Sequence, residues 1–445
     1  MSRDSSPLRV ADLISESVLV INDGYRAKNE ELASAGLPFA RAGNIDGGFQ
    51  FADADYFPEQ ELGRVGNKIS QPGDVVFTSK GTVGRFAYVA DSTPRFVYSP
   101  QLCFWRALDR ERLDSRWLFY WMQSGEFQEQ CDGVKGQTDM ADYVSLRDQR
   151  AMSLTLPPIG EQRAVGRLLG ALDDKIELNR RVNQTLESMA RAIFRSWFVD
   201  FDPVVAKAEG RQPFGMSAEV AALFPNEFDE SDPHGLPRGW TAVPIERCVQ
   251  AVYDGPHATP PVAESGAIFL GIKNMPGSRI ELAEVRHISE EQWARWTKRV
   301  TPEAGDIVFT YEATVGAFAV IPPGMRCCLG RRLALVRPSR EHYYPYFLLH
   351  TFVSPPFQEL LTSRLNQGST VQRIPLTDFP AYEILWPGDG LARGFERIAE
   401  PLWRSIHVLI EQSRTLAALR DTLLPKLMSG ELRVRDAEKL VGVHV

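Results

Sequence analysis

The sequence predicts an α+β protein in which two tandem-repeated globular α/β modules are separated by two long helices. Two observations predict this architecture. Residues 73–89 and 305–321 are related, with ten of 17 positions identical at an offset of 232. Each copy then continues into a long segment whose apolar residues are spaced three or four apart, as in a coiled-coil helix. Because the copies share this apolar stripe, we expect the two helices to form an antiparallel coiled coil about a pseudo-twofold axis.

Length and composition limit the classes of protein to which the chain can belong. The chain has 445 residues, 44% of them hydrophobic, so it can bury two or three sizeable cores. Fifty basic and 57 acidic residues give a net charge of −7, which excludes a basic protein that coats nucleic acid but permits a local binding site. Five cysteines without ligand spacing argue against a disulfide scaffold and predict a cytoplasmic location. We expect neither a signal peptide nor a membrane helix, since no apolar run is long enough.

Further landmarks recur at nearly the same offset in both halves. The Asp-Gly pair at 23–24 recurs at 254–255, and Phe39 recurs as Phe269. A colinear series of such matches indicates a tandem duplication with diverged copies.

The elements follow one order within each copy. Short apolar runs broken by Gly, Pro, Asn and Asp predict strands and turns, and the aromatic segments 117–123 and 344–353 predict short buried helices. The predicted segments are a first module at 1–155, a central helix at 156–200, a linker at 201–235, a second module at 236–386, a C-terminal helix at 387–433 and a tail at 434–445.

The predicted coiled-coil stripe can be assigned residue by residue. Its members in the first copy are Leu168, Leu172, Ile176, Asn179, Val182, Leu186, Met189 and Ile193. Its members in the second copy are Ile398, Leu402, Ile406, Leu409, Leu416, Leu419 and Leu423. Asn179 and Gln412 are polar positions that we expect to fix the register of the pair. The alternative is that each helix packs only on its own module.

Two segments resemble catalytic motifs, and neither is supported. Residues 354–357, Ser-Pro-Pro-Phe, resemble the loop that orients the target amine in amino-methyltransferases, but no cofactor loop precedes them and Ser124 occupies the equivalent position in the first copy. A Ser at this place is typical of a helix N-terminus. The Gly-rich segment 388–394 has misplaced glycines, and there is no Walker loop. The seven histidines show no ligand spacing, so we predict a protein that binds rather than catalyses, with no metal and no cofactor in this chain.

Polar and basic residues concentrate in the repeated turns, where their side chains can hydrogen-bond phosphates and base edges. Those of the first copy are Tyr25, Arg26, Lys28, Ser79, Lys80, Thr82, Lys135, Gln137 and Thr138. Those of the second copy are His257, Thr259, Tyr311, Thr314, Asn366, Gln367, Ser369, Thr370 and Arg373. Four further arginines lie within 12 residues, at 326, 331, 332 and 337. The turns recur in position but differ in identity, which suits two modules that read different DNA sequences; solvated turns without a ligand are the alternative.

Over residues 7 to 433 the chain resembles the specificity (S) subunit of Type I restriction–modification systems. The resemblance is carried by the segments at 73–84 and 305–316, by Asp-Gly-Pro-His-Ala-Thr-Pro at 254–260, and by Leu-Pro-Pro-Ile-Gly-Glu-Gln at 156–162 before the first long helix. The second copy departs from the last motif with Trp-Pro-Gly-Asp-Gly at 386–390, so that helix start is expected to differ.

The resemblance implies two target-recognition domains that bind a bipartite double-stranded DNA target. It also implies two modification (methyltransferase) subunits and restriction (endonuclease/translocase) subunits as partners, and it assigns S-adenosylmethionine, ATP and Mg to those partners. A cytosolic coiled-coil scaffold or adaptor without DNA specificity is the rival interpretation. The diverged polar turns count against it.

Overall fold

The structure, a computed structural model, describes residues 6–134, 142–233, 235–282, 284–365 and 371–442. The chain divides into two compact units, the first made of residues 1–177 and 415–445 and the second of residues 178–414. Each unit combines one copy of the repeat with part of both long helices.

The first unit begins with strands, and its three main helices follow them. Its elements before the first long helix are β1 (Leu8–Arg9), α1 (Val10–Ser15), β2 (Leu19–Asp23), β3 (Leu37–Ala40), β4 (Tyr56–Phe57), β5 (Val75–Thr78), β6 (Phe86–Tyr88), β7 (Val97–Tyr98), β8 (Leu102–Ala107), α2 (Ser115–Met122), α3 (Gly125–Asp132), α4 (Leu146–Ala151) and β9 (Ser153–Leu154). The long helix α5 (Ile159–Phe198) comes next.

The second unit repeats this order after two short helices. Its elements are α6 (Asp202–Ala208), α7 (Ala218–Leu223), β10 (Thr241–Pro244), β11 (Val249–Asp254), β12 (Ala267–Leu270), β13 (Arg286–Ile288), α8 (Glu290–Trp296), β14 (Ile307–Thr310), β15 (Phe318–Val320), β16 (Cys327–Leu329), β17 (Leu333–Pro338), α9 (Pro345–Val353), α10 (Pro355–Ser363) and β18 (Glu383–Trp386). The long helix α11 (Asp389–Ser429) and α12 (Val434–Val441) complete the chain.

The sheets of the two units have the same topology. The first unit has a four-stranded sheet in the order β2-β8-β5-β6, a three-stranded sheet in the order β4-β3-β7 and the pair β1-β9. The second has the corresponding orders β11-β17-β14-β15, β13-β12-β16 and β10-β18. In both three-stranded sheets one pair is antiparallel and the other parallel.

The repeated motif forms the centre of each four-stranded sheet. All four residues of β5 are buried; Val75 and Phe77 face the core that contains α2 and α3, whereas Val76 faces a second core beneath the three-stranded sheet. The residues of β14 divide in the same way between two cores. A strand covered on both faces requires a continuous apolar run rather than an alternating one. This requirement explains the apolar character of residues 75–77 and 307–309.

The two long helices pack against each other in antiparallel directions. In the second unit Asn179 of α5 donates a hydrogen bond to Gln412 of α11 over 2.9 Å, and the Phe194 ring lies 5.3 Å from the Phe395 ring. Residues later in α5 therefore contact residues earlier in α11, as in an antiparallel pair. The α+β class with two repeated modules and an antiparallel helix pair is therefore confirmed, and the polar contact of Asn179 forms as expected. The segment boundaries predicted from sequence stay predictions.

The predicted stripe needs a correction in the second half of α5. Val182 and Met189 are 36% and 47% exposed, and the buried positions are their neighbours Asn183 and Ala190. The prediction assigned the apolar residue of each helical turn to the buried stripe. The helix instead turns a polar residue and a small one towards the core, where α11 approaches. Most other predicted members are buried or half-buried, Leu172, Ile406, Leu416 and Leu423 completely.

Residues 202–223 of the predicted linker pack on the second unit. Val204 and Phe224 are buried in its main core, next to aromatic side chains of α5. The five cysteines are buried free thiols.

Candidate nucleic-acid interface

The repeated turn after β5 and β14 has the same backbone geometry in both units. The Thr78 hydroxyl donates to the Thr82 carbonyl and accepts from the Arg85 amide, and Thr310 accepts from Ala317 in the same way. These bonds close the turn and leave its tip exposed, with Lys80 and Thr82 in one copy and Thr314 in the other. The repeated Thr is therefore a structural residue, and the variable tip is the part that a ligand can reach.

The Asp-Gly pair lies where β2 and β11 end, at the same edge of the sheet, and β8 and β17 separate these strands from β5 and β14. A Cβ atom on Gly24 would lie 2.0 Å from the Ser99 carbonyl oxygen, and one on Gly255 would lie 2.6 Å from that of Leu333. Only glycine permits such a close backbone approach. The pair thus brings the loops after β2 and β11 next to the repeated turns.

The first unit brings two predicted contact residues, Arg26 and Lys80, together at a groove of about 660 Å³. Within the described residues neither of these two side chains makes an ion pair. Lys28 is exposed and pairs with Glu30, and the hydroxyl of Tyr25 donates to Glu31.

Among the other residues that line this groove, the sequence did not single out Arg41, Gln101 and Tyr143. Arg41 pairs with Asp55 over 2.6 Å, and Tyr143 lies beside Lys80 through a backbone bridge. Of these three residues, only Tyr143 has a counterpart in the repeat, because the bridge between Lys80 and Tyr143 recurs between Glu312 and Arg373.

Ser79 is a correction to the predicted set. Its side chain is buried and accepts a hydrogen bond from the Cys103 thiol, so it faces the core. Neighbouring residues of an extended chain point to opposite faces. Because Lys80 is exposed, its neighbour Ser79 points towards the core.

The second unit presents a different set at the same places. His257 is exposed, and its Nε2 lies 2.6 Å from Asp254, which also pairs with Arg299. Thr259, Thr314 and Arg373 are exposed as expected.

Tyr311 is the second correction. It is buried in the main core, where burial and then the charge of Asp254 raise its pKa. The phenol therefore faces the core and does not reach the surface.

The arginine cluster is also different from the sequence expectation. Arg326 pairs with Glu290, Arg332 with Glu312, and Arg337 with Asp306. Acids distant in sequence thus neutralise three of the four, and Arg326 and Arg331 are the exposed members. A local count of charges could not detect these partners.

The pair of Arg337 with Asp306 belongs to the repeated frame. Asp74 is completely buried and accepts two hydrogen bonds from Arg106, at 2.6 and 2.7 Å, just as Asp306 does from Arg337 at 2.8 and 2.7 Å. The Asp of the repeated motif therefore links the central strand to its neighbour in both units.

Seven predicted contact residues lie outside the described part of the chain, and their assignment stays a prediction. They are Lys135, Gln137, Thr138, Asn366, Gln367, Ser369 and Thr370. The described residues that follow them pair with the repeated turns, since Val144 donates to Ser79 and Ile374 to Tyr311.

The remaining motifs have structural roles. The Ser354 hydroxyl donates to the Thr351 carbonyl, as that of Ser124 does to Trp121, so neither is presented to a substrate. His350 is buried, accepts a hydrogen bond from Trp403, and has its pKa lowered to about 3 by burial. Within the described ranges no group of acidic, His and Cys side chains could hold a metal ion, and no helix is long and apolar enough to cross a membrane.

Comparisons with known proteins agree with this geometry. The family model of the Type I restriction modification DNA specificity domain matches residues 16–188. The chain is 23% identical to the Type I restriction enzyme HindI specificity subunit of Haemophilus influenzae, over 82% of this chain and 88% of that protein. It is 24% identical to the MjaIX specificity subunit of Methanocaldococcus jannaschii, over 83% of this chain and 80% of that protein.

A solved structure shows the same fold. The crystal structure of the Type I restriction–modification S subunit from M. genitalium superposes with a TM-score of 0.56 and 13% identity, covering 96% of this chain and 97% of that one. Residues 16–188 match a specificity-domain model and most of the chain aligns with two specificity subunits, so the chain is similar to Type I restriction–modification specificity subunits.

Proposed function

We propose that the chain is the non-catalytic DNA-recognition subunit of a Type I restriction–modification complex. Each recognition module reads one half of a bipartite target in double-stranded DNA. The helix pair sets the length of the spacer and binds two modification subunits.

One observation carries the proposal: a repeated scaffold with different residues at its tips. The turns at 78–85 and 310–317 share their hydrogen bonds, yet Lys80 of one corresponds to Glu312 of the other. A lysine that is unpaired within the described residues and a carboxylate that is paired with Arg332 present different groups to a major groove, where each base pair has its own pattern of donors and acceptors. Two equal frames with unequal tips suit two different half-sites.

The long helices suit a spacer element. Helix α5 has 40 residues and α11 has 41, and at 1.5 Å per residue each is about 60 Å long. Successive major-groove faces recur every ~34–36 Å, so helices of this length can separate two modules by more than one turn of DNA.

The second half of α5 also has a free apolar face that suits a partner subunit. Leu178, Val182 and Met189 are four or seven residues apart and are exposed. Apolar residues at this spacing form one stripe on a helix, which another helix can cover.

The partner subunits complete the activity in this proposal. Methylation with S-adenosylmethionine belongs to the modification subunits, and ATP- and Mg-dependent cleavage belongs to the restriction subunits, in the cytoplasm. A net charge of −7 predicts weak DNA binding by this chain alone, because non-specific affinity depends on the phosphates neutralised. The partners are therefore needed to close around the DNA.

The decisive experiment is a map of methylated adenines. The chain is expressed with its modification subunit in a host without adenine methylation, and the genome is sequenced with single-molecule long reads. We expect one motif with two specified halves and a non-specific spacer. An undivided motif, or no sequence preference, would contradict the proposal.

Exchange of modules separates the two halves. Replacing residues 1–155 with those of another family member should change one half of the motif, and replacing residues 236–386 should change the other. Gln137→Ala with Thr138→Ala, and Gln367→Ala with Thr370→Ala, form the matched pair of smaller changes, each expected to cost ~1–3 kcal/mol at one half-site. A chimera in which both halves change would show that the modules do not read independently.

The spacer role is tested by lengthening the helices. Four residues inserted after Asn179 and four at Gln412 extend the facing helices by ~6 Å, close to two base pairs, and nearly preserve the phase of the stripe. The expected result is a spacer longer by one or two base pairs with unchanged half-sites. Insertion of two residues at both sites is the control, since it turns the stripe by ~200° and should abolish assembly. An active four-residue variant with the parental spacer would refute the role.

A further inference from the structure

A cluster of polar contacts joins the second recognition module to the central helix α5. Glu187 of α5 accepts a hydrogen bond from the Ser278 hydroxyl and one from Arg191 over 2.7 Å. Arg191 also donates to Ser278 over 3.2 Å, and Arg279 lies 3.7 Å from the second oxygen of Glu187. Ser278 is 5% exposed, so this contact is largely shielded from water.

The loop that carries Ser278 is firmly attached to its module. The Asn274 side chain donates to the carbonyls of Glu281 and Glu284 and accepts from the Gly271 amide. Met275 and Ile280, on either side of Ser278, are buried in the core beneath the three-stranded sheet. A force on Ser278 is therefore transmitted to the whole module.

The first copy has the same loop without the contact. Asn44 makes the equivalent bonds, to the Arg41 amide and the Gln50 carbonyl. The residues equivalent to Ser278 and its neighbour are Gly47 and Gly48, and a Cβ atom on either would have nothing within 4 Å. The position on α11 that corresponds to Glu187 is Ala417, which has no polar group to offer.

We infer that Glu187 is a positioning residue that fixes the second recognition module on the central helix, so that the spacer is measured from the second half-site. The inference rests on the proposed function. A hydrogen-bonded carboxylate holds its partners more tightly than a neutral group does, because hydrogen bonds to charged groups are stronger. Without it the second module can tilt on α5, and neighbouring spacer lengths become acceptable.

The test compares Glu187→Ala with Glu187→Gln and with the control Gln184→Ala, an exposed position on the same helix. Each variant is assembled with the modification subunit and methylates a plasmid library in which every spacer length is present. We expect Glu187→Ala to reduce the preference for the parental spacer over its neighbours about tenfold, with both half-site sequences unchanged. Glu187→Gln should restore part of the preference, since its amide oxygen still accepts from Ser278, and Gln184→Ala should match the wild type.

Hydrogen exchange supplies a second readout on the full chain. Amides of residues 275–282 should exchange faster in Glu187→Ala, while those of residues 45–51 in the first copy should not change. Unchanged spacer preference in an active Glu187→Ala complex would overturn the positioning role alone. A wild-type complex that methylates an undivided target would overturn the proposed function and the spacer role with it.

Discussion

Replacing Glu396 by Gln should remove a pH dependence from the stability of the second unit. Glu396 of α11 is buried, and its carboxylate accepts the backbone amides of Tyr346 over 3.1 Å and Phe347 over 2.9 Å. These are first-turn N–H groups of α9, which have no partner within their own helix. Burial, and to a smaller degree the nearby Glu400, raise the pKa of Glu396 to about 7, although the two amides act in the opposite direction.

The first copy shows why this carboxylate is unusual. There α2 is capped by its own Asp114, which accepts from the Trp117 amide over 2.8 Å. The residue equivalent to Glu396 is Gly166, whose Cβ would lie 2.8 Å from the Asp114 carboxylate. The second copy has Tyr344 in place of Asp114, and the cap is supplied from the facing helix instead.

The sign and size of the effect follow from the two pKa values. The pKa of Glu396 is higher in the folded protein, about 7, than the ordinary 4.5, so folding favours the protonated carboxyl. The associated stability is fully present below about pH 4.5 and is lost as the pH rises through about 7. One pKa unit corresponds to 1.36 kcal/mol, so the wild type should lose about 2.5 kcal/mol between pH 5 and pH 8.5 through this group. Glu396→Gln does not titrate and should gain on the wild type by that amount.

The assay is urea unfolding of the full chain at several pH values, followed by hydrogen exchange of peptides from 345–353 and 389–410 so that the second unit is observed separately. Glu383→Gln, an exposed strand position in the same unit, is the control and should leave the pH dependence unchanged. If the free-energy difference between Glu396→Gln and the wild type stays constant from pH 5 to pH 8.5, the carboxyl does not titrate in this range and the reasoning is refuted.

Four further substitutions test the repeated frame and the helix pair. Ala313 has φ +70°, where its equivalent is Gly81 at +85°, so Ala313→Gly should stabilise the second unit and Gly81→Ala destabilise the first, each by about 1 kcal/mol in urea unfolding. Arg106→Ala leaves Asp74 buried without its partner and should destabilise the first unit by ~3–5 kcal/mol, which circular dichroism melting would detect. Asn179→Leu should raise the melting temperature but broaden the spacer preference in the plasmid library, because a buried polar pair fixes register at a cost in stability.

Much of the fold was predictable because the duplication gives a second copy of the sequence pattern of each element. A single run such as residues 75–78 does not distinguish a strand from part of a helix. Its recurrence at 307–310 with the same flanking turn does, and both are strands. The phase of α5 near Val182 was not predictable, because periodicity counts apolar residues and cannot show that Asn183 is the residue turned inward.

The candidate site was less predictable for a related reason. The exposed tips at Lys80 and Thr82 followed from the turn chemistry. The burial of Ser79 and Tyr311 depends on which face of a strand is covered, and the neutralisation of Arg332 depends on an acid 20 residues away. Arg41 and Gln101 join the groove only through the folding of separate loops, so the local sequence has no signal for them.

The distribution of burial explains how two copies can share a frame and differ at their exposed tips. A change at Asp74 or Asp306 removes the carboxylate that holds Arg106, which is buried, or Arg337, which is half-buried, and this is costly in either unit. A change at an exposed tip residue such as Lys80 or Thr314 costs little, because surface substitutions seldom alter stability by more than about 0.5 kcal/mol. Stability therefore constrains the residues that build the turns and leaves those at their tips free to vary. The same asymmetry applies where a module is attached to a long helix. Glu187 contacts the loop of the second module, whereas Gly47 in the equivalent loop of the first copy faces open space. The residues of such an attachment can therefore differ between the two copies.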